Sequence, residues 1–189
     1  VCEFYISSFQ KEDIPDLFKR FYEPLSLPPV ASVDNNRLRC CLVSLCMKIV
    51  DLDYEQYGQT LFDALMKFDV RSPYDDLRDV CAKNISKLAK KKGVKEIPAL
   101  IEQLKATRDN QNTFDKLLGY AYSYCALLHA QGVSSLRGGI FDTTDTLSKS
   151  KNEQDRCLAC FIFAGLSFMF GAILEPSLPR VLPVLLTLF

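Results

Sequence analysis

Four long runs of apolar residues with helical spacing organise this chain. Each run follows a basic residue, and these anchor residues are Arg39, Arg78, Lys116 and Arg156, separated by 39, 38 and 40 residues. The second, third and tenth positions after every anchor are apolar or small, as one buried helix face requires. They are Cys41, Val80, Leu118 and Leu158 at the second position, Leu42, Cys81, Gly119 and Ala159 at the third, and Ile49, Leu88, Ala126 and Leu166 at the tenth. The pattern predicts four long helices related by an internal repeat.

A short polar break and a second helical stretch follow each long run. The second stretches cover roughly residues 53–68, 94–107, 134–148 and 177–189. The repeating unit is therefore an antiparallel helical hairpin, and the predicted hairpins cover about 1–22, 36–68, 73–107, 113–148 and 152–189. No alternating strand pattern of useful length appears.

Prolines and one serine mark several of the predicted helix starts. Ser72 followed by Pro73 predicts an N-cap and a first helical turn. Pro15, Pro98 and Pro179 fall near the starts of second helices, where the missing N–H costs no hydrogen bond. These positions support the division into hairpins.

Helical hairpins with a period of about 39 residues are typical of HEAT-type repeats, whose periods run to about 40 to 47 residues. Tetratricopeptide repeats are the alternative, but their Trp-containing pattern is absent because the chain has no Trp. One hairpin cannot bury its own apolar face, so neighbouring hairpins stack. We therefore predict an all-α protein, an open right-handed solenoid of HEAT-type hairpins, with residues 1–189 forming one segment of a longer array.

The repeat phase also predicts which side chains form the core. They should share one face of each helix and contact the neighbouring hairpin. The predicted core residues are Leu42, Ile49, Leu65, Ile85, Leu88, Ile101, Leu104, Leu118, Ala126, Leu158, Ile162, Leu166, Leu182 and Leu186.

Charge is balanced over the whole chain but not along it. The 189 residues include 23 Lys and Arg and 23 Asp and Glu, which argues against a protein whose whole surface holds nucleic acid. Residues 71–95 alone carry eight basic and three acidic groups. The excess lies at one helix end and the turn beyond it, and it comprises Lys83, Lys87, Lys90, Lys91, Lys92 and Lys95.

This lysine cluster has two interpretations. It is typical of a solvated helix end, where positive charge complements the helix dipole. It also fits a contact to phosphate or to an acidic protein surface, without the aromatic residues that would read bases. The candidate contact residues are Lys87, Lys90, Lys91, Lys92 and Lys95.

Eight cysteines could indicate disulfides, but most of them lie inside apolar helical runs. We therefore expect buried free thiols in a reducing compartment. Cys157 and Cys160 form a CxxC pair, yet a zinc site needs a second ligand pair, and the only histidine, His129, is on another helix. Cys125 and His129 share a helix face, which could align a thiol with a base, although ordinary packing explains the spacing. We predict no cofactor, no metal and no catalytic activity.

Residues 157–174 form a run of eighteen residues without a charge, which is long enough to be considered as a membrane span. The run is in phase with the repeat, begins after Asp155 and Arg156, and is followed by Glu175 rather than by a basic cluster. A buried helix is the preferred interpretation, and a membrane-attached helical protein is the alternative.

The second half of the chain resembles one known family. Tyr122 is followed by Gly132 after ten residues, then by the segment Val133–Arg137 and by Gly139-Ile140. Further on come Glu175-Pro176 and a Leu-Pro-x-Leu-Leu-x-x-Phe pattern over residues 182–189. This arrangement is similar to the elongation-factor-three-like region of the HEAT-repeat translational activators called general control non-derepressible protein one. The likeness covers roughly residues 116–189.

The resemblance implies a non-enzymatic, cytoplasmic scaffold that binds ribosomes, through ribosomal RNA or a ribosomal protein. It also implies a protein kinase as partner, because members of that family help to activate the kinase that senses uncharged tRNA and phosphorylates initiation factor two. A generic HEAT-repeat adaptor, such as a transport receptor or a phosphatase scaffold, is the alternative function. Neither interpretation requires a small-molecule substrate or a membrane.

Overall fold

The computed structural model describes residues 11–110, 113–137 and 139–186, and these residues are helical with no strand among them. Residues 1–10, where the first predicted hairpin begins, lie outside the described part, as does the predicted end at 187–189. The prediction of an all-α protein is confirmed. The described α-helices are α1 (Ile14–Leu25), α2 (Val33–Leu52), α3 (Tyr54–Lys67), α4 (Asp75–Lys92), α5 (Ile97–Ala106), α6 (Phe114–Gln131), α7 (Ile140–Ser148), α8 (Glu153–Phe170) and α9 (Leu178–Leu186).

Long and short helices alternate along the chain. The long helices α2, α4, α6 and α8 have 18 to 20 residues and pack side by side in chain order. Each of the short helices α1, α3, α5 and α7 packs on the long helix that follows it. The last helix, α9, packs on α7 and on the 3-10 turn Gly171–Ser177. The core therefore lies along the row of long helices.

Helix α6 is the most enclosed of these elements, because α4 and α8 flank it and α5 covers it. Every residue from Leu117 to Leu128 is buried. Gly165 of α8 allows α6 and α8 to approach closely, since a Cβ built there would lie 2.9 Å from the sulfur of Cys125. The apolar run after the third anchor is thus buried on all sides.

The first anchor, Arg39, is buried rather than solvated, with 2% of its surface exposed. Its guanidinium donates hydrogen bonds to the carbonyl oxygens of Pro24 at 2.8 Å, Leu27 at 2.9 Å and Leu25 at 3.3 Å. These carbonyls lie at the end of α1 and in the loop that precedes α2, where they have no partner in the helix. Arg39 therefore ties the loop to the helix that follows it.

Two further anchors make the same type of contact. Arg78 donates to the carbonyl oxygen of Ser72 at 2.8 Å, and Arg156 donates to that of Ser150 at 3.0 Å, so both bond the residue six positions earlier. Arg78 is buried, while Arg156 and the remaining anchor, Lys116, are half-buried. In these three repeats the basic residue satisfies loop carbonyls, which gives it a structural role just before the apolar run.

Most of the predicted core is buried, but the last helix is an exception. Eleven of the fourteen residues are buried and Leu104 is half-buried, whereas Leu182 and Leu186 are 51% and 76% exposed. Helix α9 buries Val181 and Val184 instead. The prediction for Leu182 and Leu186 was wrong because the buried face of α9 is displaced from them by one or two positions, and each position turns the helix by about 100°.

The predicted start of the third hairpin is also displaced. Helix α4 begins at Asp75 with Tyr74 as its N-cap residue, two positions after the predicted cap. Ser72 is buried in the preceding loop, where its hydroxyl accepts a hydrogen bond from the amide of Tyr74 at 3.2 Å. Pro15 and Pro98 occupy the first turns of α1 and α5, as predicted.

No disulfide joins the seven cysteines within the described part of the chain. Cys46, Cys81 and Cys125 are buried, but Cys157 and Cys160 are half-buried, and Cys41 is exposed. The prediction of a buried thiol was therefore wrong for Cys41. Among the described helices, α4 is the one long helix that packs against α2. The opposite face of α2, which carries Cys41, is therefore exposed.

One stretch among the described residues is long and apolar enough to cross a membrane. It runs from Glu153 to Leu186, and an 18-residue window within it has a mean hydropathy of 2.3 with 44% of the window buried. Buried core helices of soluble proteins meet the same criteria, so length and composition alone are weak evidence for a membrane span. Leu158, Ile162 and Leu166 on this stretch are each 1% exposed.

Candidate functional site

Three lysines form an exposed row on α4. Lys83, Lys87 and Lys90, here called the lysine row, are spaced four and three residues apart, and this spacing places them on one helix face. All three are exposed, while Ser86 and Leu88 between them are buried. The row therefore runs along the solvent-facing edge of a helix whose other faces are packed.

The predicted lysine cluster is divided by the structure, because Lys91 and Lys92 point towards other helices. The ammonium of Lys91 lies 2.9 Å from a carboxylate oxygen of Asp51 at the end of α2. The ammonium of Lys92 donates to the side-chain oxygen of Gln59 on α3 at 2.8 Å and lies 3.9 Å from Glu96. These two lysines bind neighbouring parts of the fold and are less available to a partner than the lysine row.

Lys95 lies beyond the end of α4. Helix α4 ends at Lys92. The next residue, Gly93, has a φ of +131°, which is strongly disfavoured for residues with a side chain, and the chain then turns. Lys95 is exposed in this turn. It therefore extends the positive surface at the carboxyl end of α4 without belonging to the lysine row.

An aromatic residue from a different helix positions the first member of the row. The ammonium of Lys83 lies 4.7 Å from the ring centroid of Phe168 on α8, a cation–π contact. The ring of Phe168 in turn packs at 6.3 Å from that of Tyr122 on α6. Sequence reasoning placed Lys83 in the cluster but missed Phe168, since 85 residues separate the two and no local signal joins them.

His129 lies beside the other end of the row, at the end of α6. Its Nδ1 is 2.8 Å from the hydroxyl of Ser86, and its ring packs edge-on at 5.3 Å from that of Phe170. Burial, and secondarily the charge of Lys90, lower the pKa of His129. The imidazole is therefore neutral near pH 7, and the positive charge here comes from the lysines.

The charges of α4 are arranged with opposite signs at its two ends. Asp75 and Asp76 lie in its first turn and three lysines in its last, which complements the helix dipole at both ends. Between them, burial raises the pKa of Asp79, although the charges of Arg78 and Lys83 oppose the effect. Positive potential is thus concentrated at the carboxyl end of the helix.

The thiol and imidazole that share a face of α6 do not form a pair. The sulfur of Cys125 is completely buried and lies 3.4 Å from the carbonyl oxygen of Ile162, while His129 bonds to Ser86. Burial raises the pKa of the Cys125 thiol, which disfavours the reactive thiolate. Ordinary helix packing, the preferred interpretation of the sequence, describes Cys125 correctly.

The CxxC pair on α8 shows no metal-binding arrangement. Within residues 11–110, 113–137 and 139–186, no group of three or more His, Cys, Asp or Glu side chains could hold a metal ion. Burial, together with the neighbouring Cys157, raises the pKa of Cys160. The pair is half-buried, and the raised pKa of Cys160 disfavours its reactive thiolate.

Comparison with known proteins found no matching protein-family model, no matching curated protein and no matching solved structure. The resemblance to the translational activators therefore rests on the residues described above and stays a prediction.

Proposed function

We propose that this chain is a segment of a non-enzymatic, cytoplasmic scaffold that associates with ribosomes. The specific proposal is a translational activator of the general control non-derepressible protein one type, which helps to switch on the starvation-sensing kinase that acts on initiation factor two. The exposed lysine row is the observation that supports a ribosome contact. The resemblance of residues 116–189 supports the choice of this type of activator.

The packing order supports an open solenoid as the architecture of this scaffold. Long helices contact the next long helix in chain order, and short helices pack on the long helix that follows, which is how stacked repeats bury their faces. Three anchor arginines tie their loops in the same manner, which supports the interpretation of the sequence period as a structural repeat. A right-handed HEAT-type array is the form that best accounts for both features.

The lysine row suits a phosphate backbone or an acidic protein surface. Lys87 and Lys90 are exposed, and no hydrogen bond or ion pair with another described residue engages their ammonium groups. Phe168 contacts Lys83, but no row of exposed aromatic rings accompanies the lysines on α4 for stacking on bases. The row can bind a charged backbone without reading its sequence.

Charge reversal in the row tests the ribosome contact. The variant Lys87→Glu/Lys90→Glu should lose most co-sedimentation with ribosomes purified from the source organism, because both ammonium groups would be replaced by repelling carboxylates. Binding of the unchanged chain should also fall steeply as the salt concentration rises. Circular dichroism should show unchanged helicity, since both side chains are exposed.

Lys19→Glu/Arg20→Glu on α1 provides the matched control, because it reverses two exposed basic residues of a distant helix. It should bind ribosomes as the unchanged chain does. Equal ribosome binding by the unchanged chain, Lys87→Glu/Lys90→Glu and Lys19→Glu/Arg20→Glu would refute the lysine row as the contact. Absence of ribosome binding by the unchanged chain, together with capture of a transport cargo or a phosphatase subunit, would favour the generic adaptor.

A further inference from the structure

A cleft of about 370 Å³ opens at the opposite end of the long helices from the lysine row. It lies between the start of α2, the end of α3, the loop before α4 and the start of α6. Its polar lining includes Asn36, Lys67, Arg71 and Asp115, and its apolar walls include Phe68 and Leu77. Apolar walls with a few convergent polar groups are typical of binding pockets.

The first unusual group in this cleft is the side chain of Asn36. It is 5% exposed, and its Oδ1 has no hydrogen-bond donor among the described residues. A buried acceptor without a donor is costly, and most such atoms in folded proteins are paired. Asn36 lines the cleft, but its Oδ1 has less than 1 Å² of accessible surface, so the unpaired acceptor lies within the cleft wall and not at its open face.

The second unusual group is the guanidinium of Arg71. Arg71 is half-buried, burial lowers its pKa, and no hydrogen bond or ion pair engages its side chain within the described part of the chain. Its stem is held against α6, since a Cβ built at Gly119 would lie 2.4 Å from its Cγ. The arginine is therefore positioned by packing while its charge is left for another partner.

Lys67 adds a second positive charge to the same wall. Its ammonium lies 4.8 Å from the ring centroid of Phe68, which also lines the cleft. Asp115 lines the cleft as well and would repel a second anionic group. The lining thus favours one anionic group rather than a multiply charged anion.

The shape of the surface favours an extended ligand. Lys67 and Arg71 also line a neighbouring cleft of about 400 Å³ between α3 and α5, so two clefts meet at the same two cations. A peptide segment can occupy both clefts and place a carboxylate where they meet.

We propose that this pair of clefts binds a peptide segment of a partner protein through one Asp or Glu side chain. The carboxylate binds Arg71 and Lys67, the two cations that line both clefts. The proposal does not depend on ribosome binding, because it uses none of the lysine row.

Capped tripeptides test the proposal directly. Acetyl-Ala-Asp-Ala-amide should bind the isotope-labelled chain saturably in NMR titrations and shift the signals of Asn36 and Arg71. The matched peptide with a central Asn should bind about tenfold more weakly or not at all, because it lacks the charge that pairs with arginine. Equal binding of the two peptides, or no saturable shift with either, would overturn the proposal.

Variants separate a binding role from a structural one. Lys67→Gln, at an exposed position, and Arg71→Gln should each weaken binding of the Asp peptide several-fold. Asn36→Leu should raise the stability of the chain by removing the unpaired acceptor, and it should leave peptide binding nearly unchanged. Lys95→Gln, outside the clefts, should change neither property. Unchanged peptide binding in both Lys67→Gln and Arg71→Gln would show that the peptide binds elsewhere.

Discussion

The hydroxyl of Ser86 and the Nδ1 of His129 lie 2.8 Å apart and join α4 to α6 beneath the lysine row. Ser86 is 2% exposed, so its hydroxyl is not open to a substrate. The pair instead links two long helices that stack in chain order. Its contribution to stability depends on the protonation of the imidazole.

The first prediction concerns the pH dependence of stability. The pKa of His129 is lowered in the folded chain by burial and by Lys90, so the unfolded chain takes up a proton at higher pH than the folded chain. The free energy of unfolding should therefore decrease as the pH falls below about 6.5, and the decrease should level off below the folded-state pKa. Urea unfolding between about pH 7.5 and 5.5 measures this range.

His129→Gln should remove most of this decrease, because the chain has no other histidine. Lys90→Gln should reduce it in part, since only the smaller of the two causes is removed. An identical pH dependence in the chain and in His129→Gln would show that the imidazole is not responsible.

The second prediction concerns the anchor residue Arg39. Arg39→Met should lower the free energy of unfolding by about 3 kcal/mol, because loop carbonyls would lose the donors that satisfy them. Arg37→Met on the exposed face of the same helix is the matched control and should change stability by less than about 0.5 kcal/mol. Equal effects of the two substitutions in urea unfolding would contradict the proposed role of the anchor.

The third prediction concerns the close packing of α6 and α8. Gly165→Ala should destabilise the chain by about 2 kcal/mol, since the new methyl group would lie 2.9 Å from the sulfur of Cys125. Cys125→Ala removes that sulfur and should make the second substitution less costly. A double-mutant cycle measures the coupling, and additive effects would mean that the two positions do not interact.

The long helices could be predicted because their signal is local. An anchor and apolar positions at helical spacing define one buried face within a single segment, as in the run that follows Lys116. The all-α fold class follows from four such segments. In contrast, Leu182 and Leu186 were misplaced because which face of α9 is buried depends on its contacts with α7 and the preceding turn.

The candidate site was only partly predictable for the same reason. Spacing alone shows that Lys87 and Lys90 share a face, but it cannot show that Lys91 pairs with Asp51 of another helix. Likewise, the cleft residues Asn36 and Arg71 are 35 positions apart and carry no common motif. Features formed by one helix can be read from its sequence, whereas features formed between helices require the packed structure.

The contacts of the anchor arginines also give the chain a direction of assembly. The carbonyls of Pro24 and Leu27 are satisfied by Arg39, which is synthesised later. Ser72 and Ser150 likewise depend on arginines six residues further along. During translation these three connections therefore lack those hydrogen bonds until the following long helix has begun to form. A nascent chain would complete these three connections in order from the amino-terminal end, each fixed by an arginine that follows it.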